Sequence, residues 1–272
     1  MTTFLFWNLY EKPLQGIVAN LAHHHEIDVL MLAECSIAPD MLLSALNQPD
    51  APRYHYAPSP ACTKIEIFTR FPAEFIPFTS KDKPRLTIRH LKLPGLIDIL
   101  LVVTHLSSKL HWSEPSQSDE CIVTARSVRS TEQDIGHSRT ILVGDLNMNP
   151  FERGIVTATG LNGVMCRNIA ARGARTVQST QYPFFYNPMW SLFGDASLGP
   201  PGTYYRNVSE HVGYFWNMFD QVLIRPELLG RFDNNDLKIL DSDGDISFLS
   251  KNGLPNKNIA SDHLPILFKL NL

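Results

Sequence analysis

The sequence predicts an α/β fold, and three observations lead to this prediction. Short apolar runs rich in Val, Ile, Leu and Phe recur along the chain, each bounded by Pro, Gly, Asn or Asp, as is typical of strands. Segments with the apolar spacing of a helix lie between several of these runs, which indicates interleaved strands and helices. The composition, 44% hydrophobic and 19% charged, is that of a globular protein that buries a large core.

The apolar runs that we predict as strands begin near one end of the chain and finish near the other. They cover residues 4–7, 29–32, 65–68, 86–88, 97–103, 141–143, 221–224 and 264–270. No internal repeat, low-complexity linker or shift in composition separates them. We therefore expect one domain over residues 1–272.

Four segments between the strands are predicted as helices. In residues 14–25 the apolar side chains recur at helical spacing, beginning with Leu14 and Ile17. Pro39 stands in the first turn of a short helix over Pro39–Leu46, where proline is tolerated. Residues 124–135 and 151–159 are the other two helices. Residues 170–217 are dense in Pro, Gly and aromatic side chains, which predicts a long, ordered, functional loop region.

The charge excludes one class of nucleic-acid-binding protein. The net charge is −3 and the isoelectric point is about 6.4. Domains that hold nucleic acid by bulk charge have an isoelectric point above about 9. A local basic patch, or a site where metal ions contact the phosphate, remains compatible with this charge.

The cysteines and the N-terminal residues predict the cellular location of the protein. Cys35, Cys62, Cys121 and Cys166 stand singly, so a zinc ribbon is unsupported and we expect reduced thiols in a cytoplasmic protein. The first ten residues lack the features of a signal peptide. The longest strongly apolar runs, 29–33 and 99–103, are far shorter than the roughly 20 residues that span a bilayer, so we expect no stable membrane association.

Polar residues stand at one end of six predicted strands, where a rigid scaffold can aim them. Each alone has an ordinary structural explanation, such as a turn or a helix cap. Together they form a chemically coherent set of carboxylates, amide oxygens and two imidazoles, without cysteine. These are Asn8, Glu34, His105, Asp145, Asn147, Asp220, Asp262 and His263.

The set suits the hydrolysis of a phosphoester. Carboxylate and amide oxygens favour Mg²⁺, Mn²⁺ or Ca²⁺ and disfavour structural zinc. A metal that neutralises the phosphate, a base that activates water and an acid that protonates the leaving oxygen are what this reaction needs.

The order of the motifs resembles the endonuclease/exonuclease/phosphatase superfamily, which includes DNase I, abasic endonucleases, neutral sphingomyelinases and deadenylases. The specific pair is Gly144-Asp-Leu-Asn147 with Ser261-Asp-His-Leu-Pro265, since either segment alone is a weak signal. The segments Trp7-Asn8, Leu32-Ala-Glu34, Thr104-His105-Leu106 and Phe219-Asp-Gln221 complete the series. The resemblance implies a four-layer α/β/β/α sandwich of two packed mixed sheets.

The resemblance also implies a role for each residue. Glu34 is the principal metal ligand, helped by Asn8 and Asp262. Asp145 and Asn147 position the phosphate and the attacking water. His263 is the base or the group that polarises the phosphate, and Asp220 orients it. The metal is Mg²⁺ or Mn²⁺.

His105 assists the leaving oxygen in this scheme. A histidine here is similar to the DNase I, sphingomyelinase and phosphodiesterase branches, whereas abasic endonucleases usually place a tyrosine. The carboxylate that orients His105 is either Glu66 or Asp98.

Several residues outside these motifs are candidates for substrate contacts. They are Arg126 on the helix over 124–135, Arg172 in a basic stretch, and Tyr205 and Trp216 just before Asp220. His23-His-His25 is expected to be a solvated helix end, and Asp241-Ser-Asp-Gly-Asp245 a solvated turn.

The sequence therefore predicts a divalent-metal-dependent phosphoester hydrolase, first of all a nuclease that acts on DNA or RNA. A phosphodiesterase or phosphatase for a lipid head group or a small metabolite is the second hypothesis. A non-catalytic binding module with the same fold is the third, and it ranks last because the main catalytic positions are intact.

Overall fold

The computed structural model describes residues 1–49 and 53–272. The strands are β1 (Thr2–Asn8), β2 (Val29–Ala33), β3 (His55–Tyr56), β4 (Ile65–Thr69), β5 (Leu86–Leu91), β6 (Ile99–His105), β7 (Thr140–Asp145), β8 (Gly163–Val164), β9 (Ala174–Val177), β10 (Thr180–Pro183), β11 (Phe185–Tyr186), β12 (Tyr204–Tyr205), β13 (Trp216–Asn217), β14 (Asp220–Ile224), β15 (Lys238–Ile239) and β16 (Ile266–Leu270). The α-helices are α1 (Gln15–His24), α2 (Pro39–Leu46), α3 (Glu114–Ile135), α4 (Arg153–Val156) and α5 (Arg167–Ala170). Short 3₁₀ turns lie at Ala73–Phe75, Pro188–Leu192, Pro226–Arg231 and Asn234–Asp236.

The long strands form two mixed sheets of six strands each. The first sheet has the order β15-β16-β1-β2-β4-β3, with β1 parallel to β2 and its other neighbours antiparallel. The second has the order β5-β6-β7-β14-β11-β8, with β6 parallel to β7 and β8 parallel to β11. Two small ribbons, β9–β10 and β12–β13, stand beside the sheets.

The alternation of side chains along the strands produces the layers. Phe4 and Phe6 of β1 point into the core between the sheets, where they meet Val103 of β6 and Val143 of β7. The intervening residues point outward, since successive side chains of a strand face opposite sides. On the outer face of the first sheet they pack against α1 and α2, and on the outer face of the second against α3. The predicted four-layer α/β/β/α sandwich is confirmed.

The predicted strands are all present, but two helices differ from the prediction. Helix α3 begins at Glu114 and not at residue 124. The prediction missed the first turns because they bury polar side chains such as Gln117 and Ser118 and show no apolar periodicity. Its N-cap is Ser113, whose side chain accepts a hydrogen bond from the backbone of Ser116. The helix predicted over 151–159 shrinks to the four residues of α4.

The region 170–217 is also more regular than predicted. It contains the ribbon β9–β10 and the hairpin β12–β13, whose pairing no apolar pattern announced. None of the four cysteines forms a disulfide. Within residues 1–49 and 53–272, no helix combines the length and the apolar character needed to cross a membrane.

A buried ion pair lies at one end of the second sheet, and the predicted site lies at the other end. Arg225 follows β14 and is 1% exposed, and its Nε and a terminal nitrogen donate to the two carboxylate oxygens of Glu132 on α3, at 2.8 and 3.1 Å. Thr140 of β7 donates to the same carboxylate at 2.7 Å. The guanidinium also lies 3.8 Å from the ring centre of Phe185 on β11. One charge pair thus ties the outer helix to three strands.

We predict that Glu132→Leu, which leaves the Arg225 charge buried without its partner, lowers the free energy of unfolding by about 3–5 kcal/mol. Urea denaturation measures this loss. The double variant with Arg225→Met should recover much of it, because no unpaired charge then remains. Arg70→Met is the control, since its pair with Asp28 is partly exposed and such pairs contribute about 0–1 kcal/mol. A loss from Glu132→Leu no larger than that of the control would contradict this account.

Candidate active site

The predicted site residues meet at one edge of the two sheets. Asn8 ends β1, and Glu34 directly follows the parallel neighbour β2. In the second sheet His105 ends β6 opposite Asp145, which ends the parallel strand β7. Asp220 begins the antiparallel strand β14 and also lies opposite Asp145. The strand directions therefore bring side chains from distant parts of the sequence to the same edge.

Asp145 is the centre of this cluster and is 1% exposed. Its Oδ2 accepts a hydrogen bond of 3.0 Å from the side-chain amide of Asn8, which belongs to the other sheet. Its Oδ1 accepts one of 2.9 Å from the backbone N–H of Asn147. The Asn147 amide donates in turn to the carbonyl of Leu106 at 2.9 Å. Both oxygens of Asp145 are thus held in fixed directions.

Gly144 is required by the close approach of two strands. A Cβ atom at this position would lie 1.8 Å from the carbonyl oxygen of Thr104 on the neighbouring strand β6. Real carbon–oxygen contacts of this kind are impossible without moving the backbone. The glycine of the Gly-Asp-Leu-Asn segment therefore lets β6 bring His105 beside Asp145.

His263 and Asp220 form a buried acid–imidazole pair. The Nδ1 atom of His263 lies 2.7 Å from Oδ2 of Asp220, so the opposite nitrogen, Nε2, faces the cleft at 3.9 Å from Oδ2 of Asp145. Burial alone would lower the pKa of His263, but the negative charges of Asp220 and Asp145 outweigh burial and raise this pKa to about 10. In the metal-free protein at neutral pH, the imidazole is therefore positively charged and its Nε2 atom is a donor.

The segment that carries His263 is held against the start of the chain. The Ser261 hydroxyl donates to the backbone carbonyl of Asn8 at 2.6 Å and accepts from the backbone N–H of His263 at 3.1 Å. The indole N–H of Trp7 donates to the carbonyl of His263 at 2.9 Å. The ring of Tyr204 packs on the imidazole, with 4.7 Å between ring centres.

His105 lies between two carboxylates, but neither is an acid that the sequence suggested for it. Its Nε2 is 3.4 Å from Glu34 and 3.7 Å from Asp145. The prediction of Glu66 or Asp98 is wrong. Glu66 accepts a hydrogen bond from Tyr56, and Asp98 lies at the far end of the seven-residue strand β6, where it binds other partners.

The chemistry of the oxygen atoms fits a hard divalent cation. The Glu34 carboxylate is partly exposed toward the cleft, and its backbone has a φ of +45°. Within the described residues, Oδ1 of Asp262 is buried without a hydrogen-bond partner, and burial raises the pKa of this carboxyl. Glu34, Asn8 and Asp262 together offer the oxygens that Mg²⁺ or Mn²⁺ prefers. Asp145, Asp220 and His263 also converge, but Asp220 and His263 already bond to each other.

The cluster opens into a cleft of about 450 Å³, whose walls add three cations that the sequence did not indicate. Lys109, Arg206 and Lys257 line it with positive charge, and Tyr204 and Phe219 line it with aromatic rings. The cations are isolated lysines and arginines in the sequence, which is why no pattern identified them.

The four predicted substrate contacts lie outside this cleft. Tyr205 and Trp216 face each other across the β12–β13 hairpin, and their strand neighbours Tyr204 and Asn217 line the cleft in their place. Trp216 packs instead on the core beneath α1 and α2. Arg126 and Arg172 are exposed residues of α3 and of the turn before β9, and neither lines the cleft.

Two other motifs have structural partners. His23 contacts the carbonyl of Leu46 at 2.8 Å, in keeping with a helix end. The turn at residues 241–245 is not fully solvated as predicted, because Asp243 is 3% exposed and accepts hydrogen bonds from the backbone of Asp245 and Ile246.

The raised pKa of His263 predicts how stability depends on pH. The group has a pKa near 6.5 when unfolded and about 10 when folded, so its stabilising effect is complete below pH 6.5. The effect is lost as the pH rises from there through 10. For the EDTA-treated protein, urea denaturation should show a fall in the free energy of unfolding over this range. Asp220→Asn should flatten the fall, and equal slopes for both proteins would contradict the ion pair.

Comparison with known proteins identifies the family of this chain and solved structures that share its fold. The family model described as "Endonuclease/Exonuclease/phosphatase family" matches residues 5–263. A search of curated proteins gives no match. Three similar solved structures each cover 100% of this chain. They are the endonuclease domain of TRAS1, a telomere-specific non-LTR retrotransposon (12% identity, TM-score 0.56, 99% of that chain), D. rerio TDP2 complexed with single strand DNA product (14%, 0.57, 99%) and an AP endonuclease from Archaeoglobus fulgidus (13%, 0.58, 100%).

Identities this low show a shared fold alone, whereas the family model covers the site from its first strand to His263. The chain therefore belongs to the endonuclease/exonuclease/phosphatase family, whose members are metal-dependent hydrolases of phosphoester bonds.

Proposed function

We propose that this protein is a nuclease that cleaves phosphodiester bonds of DNA or RNA with Mg²⁺ or Mn²⁺. The observation that carries the proposal is the convergence of Asn8, Asp145, Asp220 and His263 at one cleft that is also lined by cations. An anionic substrate of repeated phosphates fits positive charge around a catalytic centre. We further propose that residues 1–272 act as one catalytic domain, because β1 near one end pairs with β16 near the other.

The metal would be held by Glu34, Asn8 and Asp262. When bound, it would supply positive charge to the phosphate and lower the pKa of a bound water. Asn8 would serve twice, since its amide nitrogen donates to Asp145, and its amide oxygen, which accepts from the backbone N–H of Tyr10, keeps a second lone pair for the metal.

His263 would act on a phosphate oxygen through Nε2. Because Asp220 holds Nδ1, the imidazole cannot rotate away, and its proton on Nε2 points into the cleft. In the metal-free protein the negative charges of Asp220 and Asp145 outweigh burial and raise the pKa of His263. A fixed donor of this kind stabilises the negative charge that develops in the transition state.

Asp145 and Asn147 would orient the attacking water, and His105 would assist the leaving oxygen. The carboxylate of Asp145 is fixed on both oxygens, so a water that it binds approaches from one direction. Nε2 of His105 lies beside Glu34 and Asp145, where it would be able to give a proton to the leaving oxygen.

The size of the cleft favours a second candidate, a phosphodiesterase or phosphatase for a small phosphorylated molecule. A volume of about 450 Å³ lies within the range of small-molecule sites. The same catalytic residues would serve either substrate, so the choice depends on what the walls of the cleft bind.

The nuclease proposal is tested by cleavage of closed circular plasmid and labelled oligonucleotides with Mg²⁺ or Mn²⁺. Wild type should cleave at least one of them, EDTA should abolish cleavage, and Asp145→Ala should remove it. His263→Ala should lower kcat by about 10²- to 10⁴-fold. Asp40→Ala, an exposed acid on α2, is the control. Hydrolysis of small phosphoesters with no cleavage of nucleic acid would favour the second candidate.

Gln117 provides a separate prediction about positioning. This side chain is fully buried on α3 and donates to the carbonyls of Ser107 and Asn147, at 2.7 and 3.3 Å, joining the loops that follow His105 and Asp145. We expect Gln117→Met, which keeps the volume but not the donor, to lower kcat about tenfold with KM nearly unchanged. Gln133→Met on the exposed side of the same helix is the matched control. A fall in Tm with no change in kcat would show a purely structural role.

A further inference from the structure

The mouth of the cleft is unusually apolar for a site that binds phosphate. Five large side chains that line it are between 44% and 69% exposed. We define them as the apolar rim: Tyr10, Leu110, Val212, Tyr214 and Phe215. They come from the loop after β1, the loop after β6 and the β12–β13 hairpin. Exposed apolar side chains that cluster at one place mark a binding surface, because water solvates them poorly.

The hairpin part of the rim is held in place before any ligand binds. The backbone N–H of Arg206 donates to the carbonyl of Phe215 at 2.8 Å, and the Asn217 side chain donates to the same carbonyl. Phe215 has a φ of +59°, a conformation that a bulky residue adopts only when its surroundings impose it.

Aromatic packing also supports the hairpin from below. Phe151 packs against Tyr214 with 5.2 Å between ring centres, and against Phe193 and Trp190 at 6.1 and 6.2 Å. The ring of Tyr214 therefore contacts an aromatic cluster, while Tyr214 remains 53% exposed. Because this packing already restricts the Tyr214 side chain, stacking a ligand on the ring costs little additional side-chain entropy.

Cations are interleaved with the rim. Lys109 is adjacent to Leu110 and lies 5.5 Å from the ring centre of Phe219, although Glu152 pairs with it. Arg206 and Lys257 line the cleft, and both are exposed. Glu210 is an acid on the same wall. At the mouth these three cations stand beside Glu210 and the Glu152 that pairs with Lys109, while the carboxylates of Glu34, Asp145 and Asp262 line the same cleft.

We infer that the substrate of this site is unpaired nucleic acid, whose bases stack on the apolar rim while the cations follow its phosphates. The inference rests on the proposed nuclease function and names its substrate class. In a duplex the faces of the bases are stacked on one another and cannot reach the rings, whereas a single strand exposes them. Aromatic platforms beside cations are the surface that binds single strands, and three cations in a protein of net negative charge are too few to hold a duplex by charge.

The test compares a fluorescent single-stranded oligonucleotide with the same sequence in a blunt duplex. Anisotropy with EDTA-treated protein measures binding without cleavage. We expect the wild type to bind the single strand at least about tenfold more tightly. Tyr214→Leu, which keeps an apolar side chain but loses the ring, should weaken single-strand binding by about 5- to 100-fold. Tyr214→Phe should bind as wild type, and Phe78→Ala is a control of similar exposure outside the cleft.

Different results separate this inference from the proposed function. Equal binding of duplex and single strand, unchanged by Tyr214→Leu, would overturn the inference even if both nucleic acids are cleaved. Failure to cleave any nucleic acid would overturn the nuclease proposal, while anisotropy would still decide what the rim binds. Binding to vesicles of phosphatidylglycerol and phosphatidylcholine that depends on Tyr214, without oligonucleotide binding, would assign the rim to a lipid surface and also overturn the inference.

Discussion

The hydrogen bond between Asn8 and Asp145 is the contact on which the rest of the site depends. It joins the last residue of β1 in one sheet to the last residue of β7 in the other, so the two sheets are locked together where the chemistry is placed. Both residues are 1% exposed, and a hydrogen bond in such a buried position is strong and directional. Glu34, which follows β2, and His263, which precedes β16, come from distant parts of the sequence and meet around this bond.

The two ends of the sandwich serve different purposes. At one end, the Glu132 carboxylate is fully used by Arg225 and Thr140, and the polar groups satisfy one another. At the other, Oδ1 of Asp262, Oδ1 of Asp220 and Nδ1 of His105 are buried without partners among the described residues. Unsatisfied buried polar atoms cost stability, and they are retained where a ligand can complete them.

Electrostatics and packing divide the work of recognition in the proposed function. The carboxylates of Asp145, Asp220 and Asp262 are grouped around His263, and their negative charge raises its pKa in the metal-free protein. The cations stand further out on the walls, where they attract an anion without pairing with the catalytic acids. The aromatic rings of the apolar rim then distinguish between anions by what the phosphate is attached to, because stacking depends on the exposed faces of the bases.

The sequence by itself determined the longer strands and the chemical set of the candidate site, and its resemblance to a known family implied the layers. Continuous apolar runs mark these strands, and polar residues at their ends are visible without any coordinates. Only the tertiary structure decided which groups touch. The acid beside His105 is Glu34 and not Glu66 or Asp98, because strand neighbours are not sequence neighbours. Tyr204 and not Tyr205 lines the cleft, and the sequence could not show this because the two short strands of the hairpin have no apolar periodicity. The position of Gln117 depends on side-chain hydrogen bonds, which a hydrophobic pattern does not reveal.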